Sequence, residues 1–391
     1  MKEWWLVWAG AVVLAAALVV GCSESESAGA AGEGGAGGMG GAGGEVPPPG
    51  TLLSYEPRAE PGMQLWTVRY TSRGIDGAPI EVTGMVAAPM EAPEAGVRDV
   101  VAFAHGTTGV SDSCAPSTRP LSGGFRNVTA AAHEAGYVVA ASDYEGLGTP
   151  GLHPYYVRES EGRGVLDIVR AAAQIEEAHS GSRAVVWGNS QGGHVALSTG
   201  EVASGWAQDV ELLGVAAGAP GSDLPTTFAD GPGFPGARGY LWMMTLGFEA
   251  AYPSLSIDDI YLPDTLATIR GLVEEEACAS VFLAVAGTVE NAGFATNPVD
   301  IPEWLEVLEA NSPGKVRSEM PILLIHGSED SVVGRRFSDA LFERLCETGS
   351  VTDYRVIEGA GHGAFGENLS MVAEWTAARF AGEGAVDGCM E

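Results

Sequence analysis

The stretch AVVWGNSQGGHVAL, residues 184–197, says most about the fold of this 391-residue chain. Its first four residues form a short apolar run, as expected for a strand that is buried on both faces. A turn of the pattern G-x-S-x-G follows at residues 188–192, and the residues after it favour a helix. The sequence therefore predicts a strand, a sharp turn and a helix, with Ser190 at the turn.

This context matters because glycine is abundant. The chain contains 56 glycines, so a G-x-S-x-G pentapeptide alone is weak evidence. In a nucleophile elbow the serine backbone is strained, and only small residues fit beside it, here Gly188 and Gly192, with Asn189 completing the turn. The amino terminus of the following helix favours negative charge that develops near Ser190. We predict that Ser190 is a nucleophile; the alternative is a plain glycine-rich turn.

The rest of the chain indicates the fold class. Apolar runs like the first recur at residues 100–104, 137–141, 212–217, 322–325 and, nearer a sheet edge, 351–357. Predicted helices separate them at residues 164–178, 194–205 and 335–346. Residues 65–70 and 81–86 predict an antiparallel pair. This alternation predicts an α/β fold with a mainly parallel central sheet and helices on both faces.

Residues 220–315 break the alternation. The interval is helical or irregular in its pattern and rich in aromatic residues and methionine. It is either a helical insertion with its own small core or a lid over an apolar substrate site, and both can hold at once.

A serine nucleophile needs a base and an orienting acid, which follow it in the order acid and then histidine in folds of this kind. His362 lies in a glycine-rich loop after the predicted strand 351–357, and we predict it to be the base. His326 lies at a strand end, and we predict a structural role for it. The acid is Asp330 or Glu329 in the loop after strand 322–325; the H-G-x-x-D spacing favours Asp330.

The reaction also needs two N–H donors for an oxyanion. One is the backbone N–H of Gln191, immediately after Ser190. The second is predicted in the loop HGTTG, residues 105–109, at Thr107, with Thr108 as the alternative and a plain glycine turn as the other explanation. Asp143 either lines the catalytic face or, as we predict, caps loop N–H groups.

The amino terminus predicts export. Residues 6–20 are almost wholly apolar, which is too short for a transmembrane helix and typical of a signal peptide. The sequence VVGC, residues 19–22, fits a lipoprotein cleavage site, with a signal peptide at 1–21 and a lipid-anchored Cys22; a plain secretory signal is the alternative. Residues 22–50 form a Gly/Ala/Pro-rich flexible tether, and residues 51–391 the catalytic domain. We expect an exported bacterial lipoprotein at the outer membrane or cell surface.

The cysteine positions and the net charge limit the kinds of site and partner that we expect. Four cysteines remain after Cys22, which in an oxidising compartment predicts two disulfides with three possible connectivities. No two of these cysteines are close in sequence and no CxxC occurs, so a metal site is not expected. The predicted serine chemistry needs no organic cofactor. The formal net charge of −31 repels phosphate backbones and argues against a nucleic-acid partner.

Together these motifs resemble the secretory lipase family, the lipase A-like branch of the α/β-hydrolases, over residues 60–380. The stretches that carry the resemblance are HGTTG at 105–109, CAPS at 114–117, DYEGLG at 143–148, LDIVRA at 166–171, the elbow, and Gly361-His362. The resemblance implies an α/β-hydrolase fold with a helical lid, and a triad of Ser190, Asp330 and His362. It also implies the disulfides Cys114–Cys278 and Cys346–Cys389.

The function predicted from these observations is cleavage of carboxylic esters, in particular acyl lipids, by a serine hydrolase through an acyl-enzyme. A peptidase or aminopeptidase on the same fold is one alternative. A catalytically inactive lipoprotein that binds surfaces is another, from a different class.

Overall fold

The structure, a computed structural model, describes residues 46–94 and 96–390. The predicted signal peptide, Cys22 and the tether up to residue 45 lie outside the described residues. The last tether residues pack on the folded domain: the Gly50 N–H donates to the carbonyl of Thr71 at 2.7 Å. In the part of the chain so described, no helix combines the length and apolar character needed to cross a membrane.

Nine strands occur within these residues. They are β1 (Leu52–Arg58), β2 (Gln64–Arg73), β3 (Pro79–Ala88), β4 (Arg98–Ala104), β5 (Val138–Ser142), β6 (Ser180–Asn189), β7 (Glu211–Gly218), β8 (Ile322–Gly327) and β9 (Thr352–Ile357). The same residues form eleven α-helices. They are α1 (Gly123–Glu134), α2 (Arg158–Ala172), α3 (Gln191–Trp206), α4 (Leu224–Asp230), α5 (Arg238–Ala251), α6 (Pro263–Glu274), α7 (Ala279–Ala286), α8 (Pro302–Ala310), α9 (Arg336–Thr348), α10 (Ala364–Glu367) and α11 (Leu369–Phe380).

All nine strands belong to one sheet, in the order β1-β2-β3-β5-β4-β6-β7-β8-β9. The strands from β5 to β9 in this order run parallel, whereas β1, β2 and β3 are antiparallel to their neighbours. The mainly parallel sheet, the antiparallel pair β2–β3 and the edge position of β9 are thus as predicted. Strand β1 was not predicted, because its mostly exposed residues show no apolar alternation.

Helices cover both faces of the sheet. On one face α2, α3 and α9 pack against the strands, and on the other α1, α10 and α11 do so. Helix α2 begins well before the predicted start at residue 164. Gly162 and Gly164 lower the helix propensity of this segment, so its first turns were not predicted. Gly162 also lets α2 approach α3 closely, since a Cβ there would lie 3.2 Å from the Ser198 carbonyl.

The interval 220–315 lies between β7 and β8 and contains α4 to α8. It has a core of its own, in which large side chains are fully buried, among them Phe228, Trp242, Phe282 and Trp304. The prediction of a helical insertion with its own small core is therefore correct.

The residues that the structure describes contain two disulfides, with the pairing that the family resemblance implies. Cys114 is bonded to Cys278, which ties the loop after β4 to the helical insertion. Cys346 is bonded to Cys389, which ties α9 to the carboxyl-terminal turn.

Candidate active site

Ser190 stands at the turn between β6 and α3 with φ 62° and ψ −121°. A positive φ is strained for a residue other than glycine, and such strain is typical of a nucleophile elbow. The turn is closely packed: a Cβ on Gly188 would collide with the carbonyl of Gly192, and a Cβ on Gly192 with the carbonyl of Ala104. The local sequence therefore forces the turn that presents Ser190 at the end of the strand.

Asp330 and His362 are brought together by the loops after β8 and β9. The Nδ1–H of His362 donates to Oδ2 of Asp330 at 2.7 Å. The other carboxylate oxygen, Oδ1, accepts the backbone N–H groups of Val332 and Val333 at 2.8 and 3.0 Å. Glu329, the alternative acid, has an exposed side chain, and among the acidic residues that the structure describes only Asp330 hydrogen-bonds to the imidazole of His362.

These donors keep Asp330 ionised. Burial alone would raise the pKa of this carboxyl group, but hydrogen bonds from His326 and His362 hold it well below its ordinary value. The Nε2–H of His326 donates to the carbonyl of Val333 at 2.8 Å and lies 3.2 Å from Oδ2 of Asp330. Its Nδ1 is 2.7 Å from the Ser338 hydroxyl. His326 therefore has the structural role predicted for it, and it also contacts the candidate acid.

Asn189 has a role that the sequence did not reveal. Its side-chain Nδ2 donates to the backbone carbonyl of His362 at 3.2 Å. The residue that precedes Ser190 in the elbow thus holds the loop that carries His362. The two residues are far apart in sequence, so no local pattern could have paired them.

Ser190 and His362 line the same cavity, whose volume is about 530 Å³. Residues of the strand ends and of the loop after β4 contribute to its lining. Apolar side chains contribute much of the wall, and they include Met85, Phe103, Pro116, Pro120 and Phe125. A cavity of this size and character suits a small ligand with an apolar part.

The loop after β4 is held next to the elbow. A Cβ on Gly106 would lie 3.5 Å from the carbonyl of Asn189. The hydroxyl of Thr107 is 2.6 Å from that of Tyr155, and the carbonyl of Thr108 accepts the N–H of Ala279 at 3.0 Å. Both candidate threonines line the cavity. On the other side Gln191 begins α3, where a backbone N–H has no partner within the helix.

Asp143 also lines this cavity, and its carboxylate has the capping role predicted from the sequence. One oxygen accepts the N–H of Ser117 at 3.0 Å, and the other accepts the hydroxyl of Thr83 at 2.7 Å. Burial nevertheless raises the pKa of Asp143 to about 6, because these neutral donors only partly replace water.

The helical insertion reaches the site through α5. Tyr240 lines the main cavity, and it also lines a small cavity of about 70 Å³ that includes Ser190, Met244 and Phe337. The insertion therefore has both a core of its own and a surface at the site, so the two explanations of residues 220–315 are compatible.

Comparisons with known proteins agree with this architecture. The family model described as "Secretory lipase" matches residues 127–388. "Lipase 6" of Candida albicans is 23% identical over 291 residues, which are 66% of this chain and 58% of that protein. A protein of Mycobacterium tuberculosis named "Probable inactive lipase" is 24% identical over 266 residues, 64% of this chain and 57% of its own length. The chain thus matches less than two thirds of either relative.

The fold also matches a solved structure. The crystal structure of Candida antarctica lipase A superposes with a TM-score of 0.74 at 17% sequence identity, covering 88% of this chain and 84% of that one. At such low identity the likeness concerns the fold, which is the α/β-hydrolase fold that the family resemblance implies.

Proposed function

The chain belongs to the secretory lipase family, and from that premise we propose that it hydrolyses carboxylic esters through a serine nucleophile. The observation that supports this most strongly is the common cavity of Ser190 and His362, with His362 hydrogen-bonded to Asp330 at 2.7 Å. A strained serine, an imidazole open to the same cavity and a buried carboxylate behind it form the arrangement that acyl transfer requires.

In the proposed mechanism, Oγ of Ser190 attacks the ester carbonyl carbon while Nε2 of His362 takes the hydroxyl proton. The backbone N–H groups of Gln191 and Thr107 stabilise the oxyanion. When the carbon–oxygen bond to the alcohol breaks, His362 returns the proton to the leaving alcohol, and an acyl-Ser190 ester remains. His362 then takes a proton from water, which attacks the acyl carbon; the bond to Oγ of Ser190 breaks, and His362 returns the proton to Oγ as the carboxylic acid leaves. Asp330 stays ionised and stabilises the imidazolium in both steps.

The test compares ester hydrolysis by the wild type and by the Ser190→Ala variant. We expect the wild type to hydrolyse p-nitrophenyl esters and the variant to lose about 10⁴-fold or more in kcat. Ser331→Ala is the matched control, since Ser331 is an exposed serine beside Asp330. Equal activity of wild type and Ser190→Ala would contradict the proposal. A series of esters from acetate to palmitate, below and above the solubility limit, measures the preference for acyl lipids.

A non-enzymatic function is the second candidate, because one relative bears the name of an inactive lipase. A folded wild type that hydrolyses no ester and no aminoacyl anilide would favour it. Cleavage of anilides but not of esters would instead favour the peptidase alternative.

Membership of a secretory family and the two disulfides indicate an exported protein. We further propose that Cys22 carries a lipid anchor, which would hold the enzyme at the outer membrane or cell surface. The Cys22→Ser variant should then move from the membrane to the soluble fraction, and unchanged fractionation would contradict the anchor.

A further inference from the structure

A buried polar cluster lies directly behind the elbow, around Glu161 in the first turns of α2. The Glu161 side chain has no exposed surface. Its Oε1 accepts a hydrogen bond from Nε2 of Gln191 at 2.7 Å, and the Gln191 side chain is itself buried. The residue whose backbone N–H is the proposed oxyanion donor is therefore held from behind by a carboxyl group.

His153 holds Gln191 from a second side. Its Nδ1 is 2.8 Å from the carbonyl of Glu145, so Nδ1–H donates there and Nε2 is left to accept. Nε2 lies 3.0 Å from Nε2 of Gln191. Both amide hydrogens of Gln191 thus have an acceptor, one in Glu161 and one in His153, and the side chain is fixed in one orientation.

The other oxygen of Glu161 faces His194, one turn along α3 from Ser190. Nδ1 of His194 lies 3.0 Å from the carbonyl of Gly221 and donates to it. Nε2 of His194 is 3.7 Å from Oε2 of Glu161, and among the described residues neither atom has a hydrogen-bond partner. A bridging water does not fit, since two hydrogen bonds in series would hold the atoms about 4.5 Å apart.

A neutral imidazole nitrogen and an ionised carboxylate oxygen are both acceptors, so they cannot stably face each other without a proton. Among the described ion pairs no lysine or arginine lies beside Glu161. Nε2 of His153 is 3.3 Å from Oε1 of Glu161, but the Gln191 amide donates one hydrogen to each of these two acceptors. No such donor serves Oε2 of Glu161 and Nε2 of His194. An isolated charge at this depth would be strongly unfavourable. Burial lowers the pKa of His194, and the nearby Glu161 carboxylate opposes that shift. One proton held between the two groups satisfies the geometry.

We propose that Glu161 is a positioning residue of the oxyanion hole and shares a single proton with His194. The shared proton matters because a net negative charge behind Gln191 would oppose the negative charge that develops on the substrate oxygen. The cluster thereby fixes Gln191 by hydrogen bonds without an opposing charge. This inference rests on the proposed function, in which Gln191 supplies one of the two oxyanion donors.

The experiment measures kcat and KM on p-nitrophenyl butyrate for Glu161→Ala and Glu161→Gln, with thermal unfolding of each variant. Glu161→Ala should lower kcat about 10- to 100-fold and change KM less than about twofold, because a donor that serves the transition state is loosened. Glu161→Gln should recover kcat to within about threefold of wild type, since its amide accepts from Gln191 and donates to His194.

Asp167→Ala is the matched control. Asp167 is an equally buried carboxylate of the same helix, but it binds Ser72, Arg170 and Trp206 at 2.6, 2.7 and 3.1 Å, away from the elbow. Its loss should lower the melting temperature and leave kcat within about twofold of wild type. A merely structural role of Glu161 would make both alanine variants behave alike.

Three results would overturn the inference: full kcat in Glu161→Ala, equal kcat losses in Glu161→Ala and Asp167→Ala, or no recovery in Glu161→Gln. If Glu161→Ala does not fold, Gln191→Met decides, because it removes both anchoring hydrogen bonds and should lower kcat about tenfold. Full kcat in that variant would also overturn it. An inactive wild type would instead refute the proposed function itself, so the two failures are distinguishable.

Discussion

Among the histidine–carboxylate pairs of the described residues, one that lines the cavity and one behind the elbow differ in the distance between their atoms and in their exposure to solvent. In the open pair, His362 and Asp330, the nitrogen–oxygen distance is 2.7 Å and 23% of the His362 side chain is exposed. In the sealed pair, His194 and Glu161, the distance is 3.7 Å and neither side chain is exposed. The open pair faces the cavity, and the sealed pair lies behind the elbow.

The difference lies in what surrounds each carboxyl group. Asp330 accepts two backbone N–H groups and the Nδ1–H of His362, and Nε2 of His326 lies 3.2 Å from its Oδ2; the two imidazoles and the backbone donors hold its pKa well below the ordinary value. Glu161 accepts Gln191 and a longer bond from the N–H of Tyr156 at 3.3 Å. A histidine beside an ionised acid and open to substrate can take up and release a proton, whereas a sealed pair can only hold one.

The largest effect, on kcat, is expected when the open pair is broken. Asp330→Asn should lower kcat about 10⁴-fold while the variant still folds, because the amide cannot orient the imidazole or stabilise its cation. Steady-state kinetics and circular dichroism measure this. Glu329→Gln is the control, since the Glu329 side chain is exposed. An active Asp330→Asn variant together with an inactive Glu329→Gln variant would assign the acid to Glu329.

A second prediction concerns Tyr156, whose side chain shields the sealed pair from water. Tyr156 is buried, and its ring packs on that of His194 with the centroids 4.5 Å apart. Tyr156→Ala should lower the free energy of unfolding by about 3 to 5 kcal/mol, because it opens a cavity and exposes the pair to water. Denaturant unfolding measures the loss, with Tyr156→Phe as the conservative control. A loss below about 1 kcal/mol would mean that the pair is not sealed by this ring.

The carboxyl groups of Asp330 and Asp143, which both line or adjoin the site, should affect stability with opposite dependences on pH. The folded pKa of Asp330 is depressed, so its contribution is present above about pH 4 and is lost as the pH falls below that value. The pKa of Asp143 is raised by burial from 3.8 to about 6, so its contribution is present at low pH and lost as the pH rises towards 6.

Melting temperatures of Asp330→Asn and Asp143→Asn between pH 3 and pH 8 test whether the two pH dependences are opposite. Relative to wild type, Asp143→Asn should gain up to about 1.4 kcal/mol per pH unit between pH 4 and 6. Asp330→Asn should approach wild type only below about pH 4. A common sign for both variants would refute the account of their surroundings.

The smallest effect is expected for His326, which contacts the open pair from the protein side. His326→Gln should lower kcat about tenfold, because Asp330 loses one of the donors that hold it ionised and oriented. The Ser338→Ala variant removes only the partner of His326 and should have a smaller effect. If His326→Gln has the kcat of the wild type, the other contacts of Asp330 suffice.

The elbow and the open pair could be predicted because their signals are local. Apolar runs mark the parallel strands, and the loops after β8 and β9 each follow such a run. The sealed pair could not be predicted, since Glu161 meets Gln191 and His194 only through the packing of α2 on α3. The same holds for Asn189, whose hydrogen bond to the His362 carbonyl joins distant parts of the chain.

The start of helix α2 and the presence of strand β1 were also hard to predict, because tertiary packing rather than local sequence determines them. The sequence of α2 contains Gly162 and Gly164, which local propensity counts against a helix although tertiary packing favours small residues there. Strand β1 is mostly exposed and so lacks the apolar alternation that reveals a half-buried strand.

The most direct test of the central claim is covalent labelling with a fluorophosphonate, followed by mass spectrometry of the peptide that contains residues 184–197. We expect one adduct on Ser190 in the wild type, no adduct on this peptide in Ser190→Ala, and much slower labelling in Asp330→Asn. A folded wild type that stays unlabelled while a known serine hydrolase in the same tube is labelled, or an adduct on another residue, would contradict it.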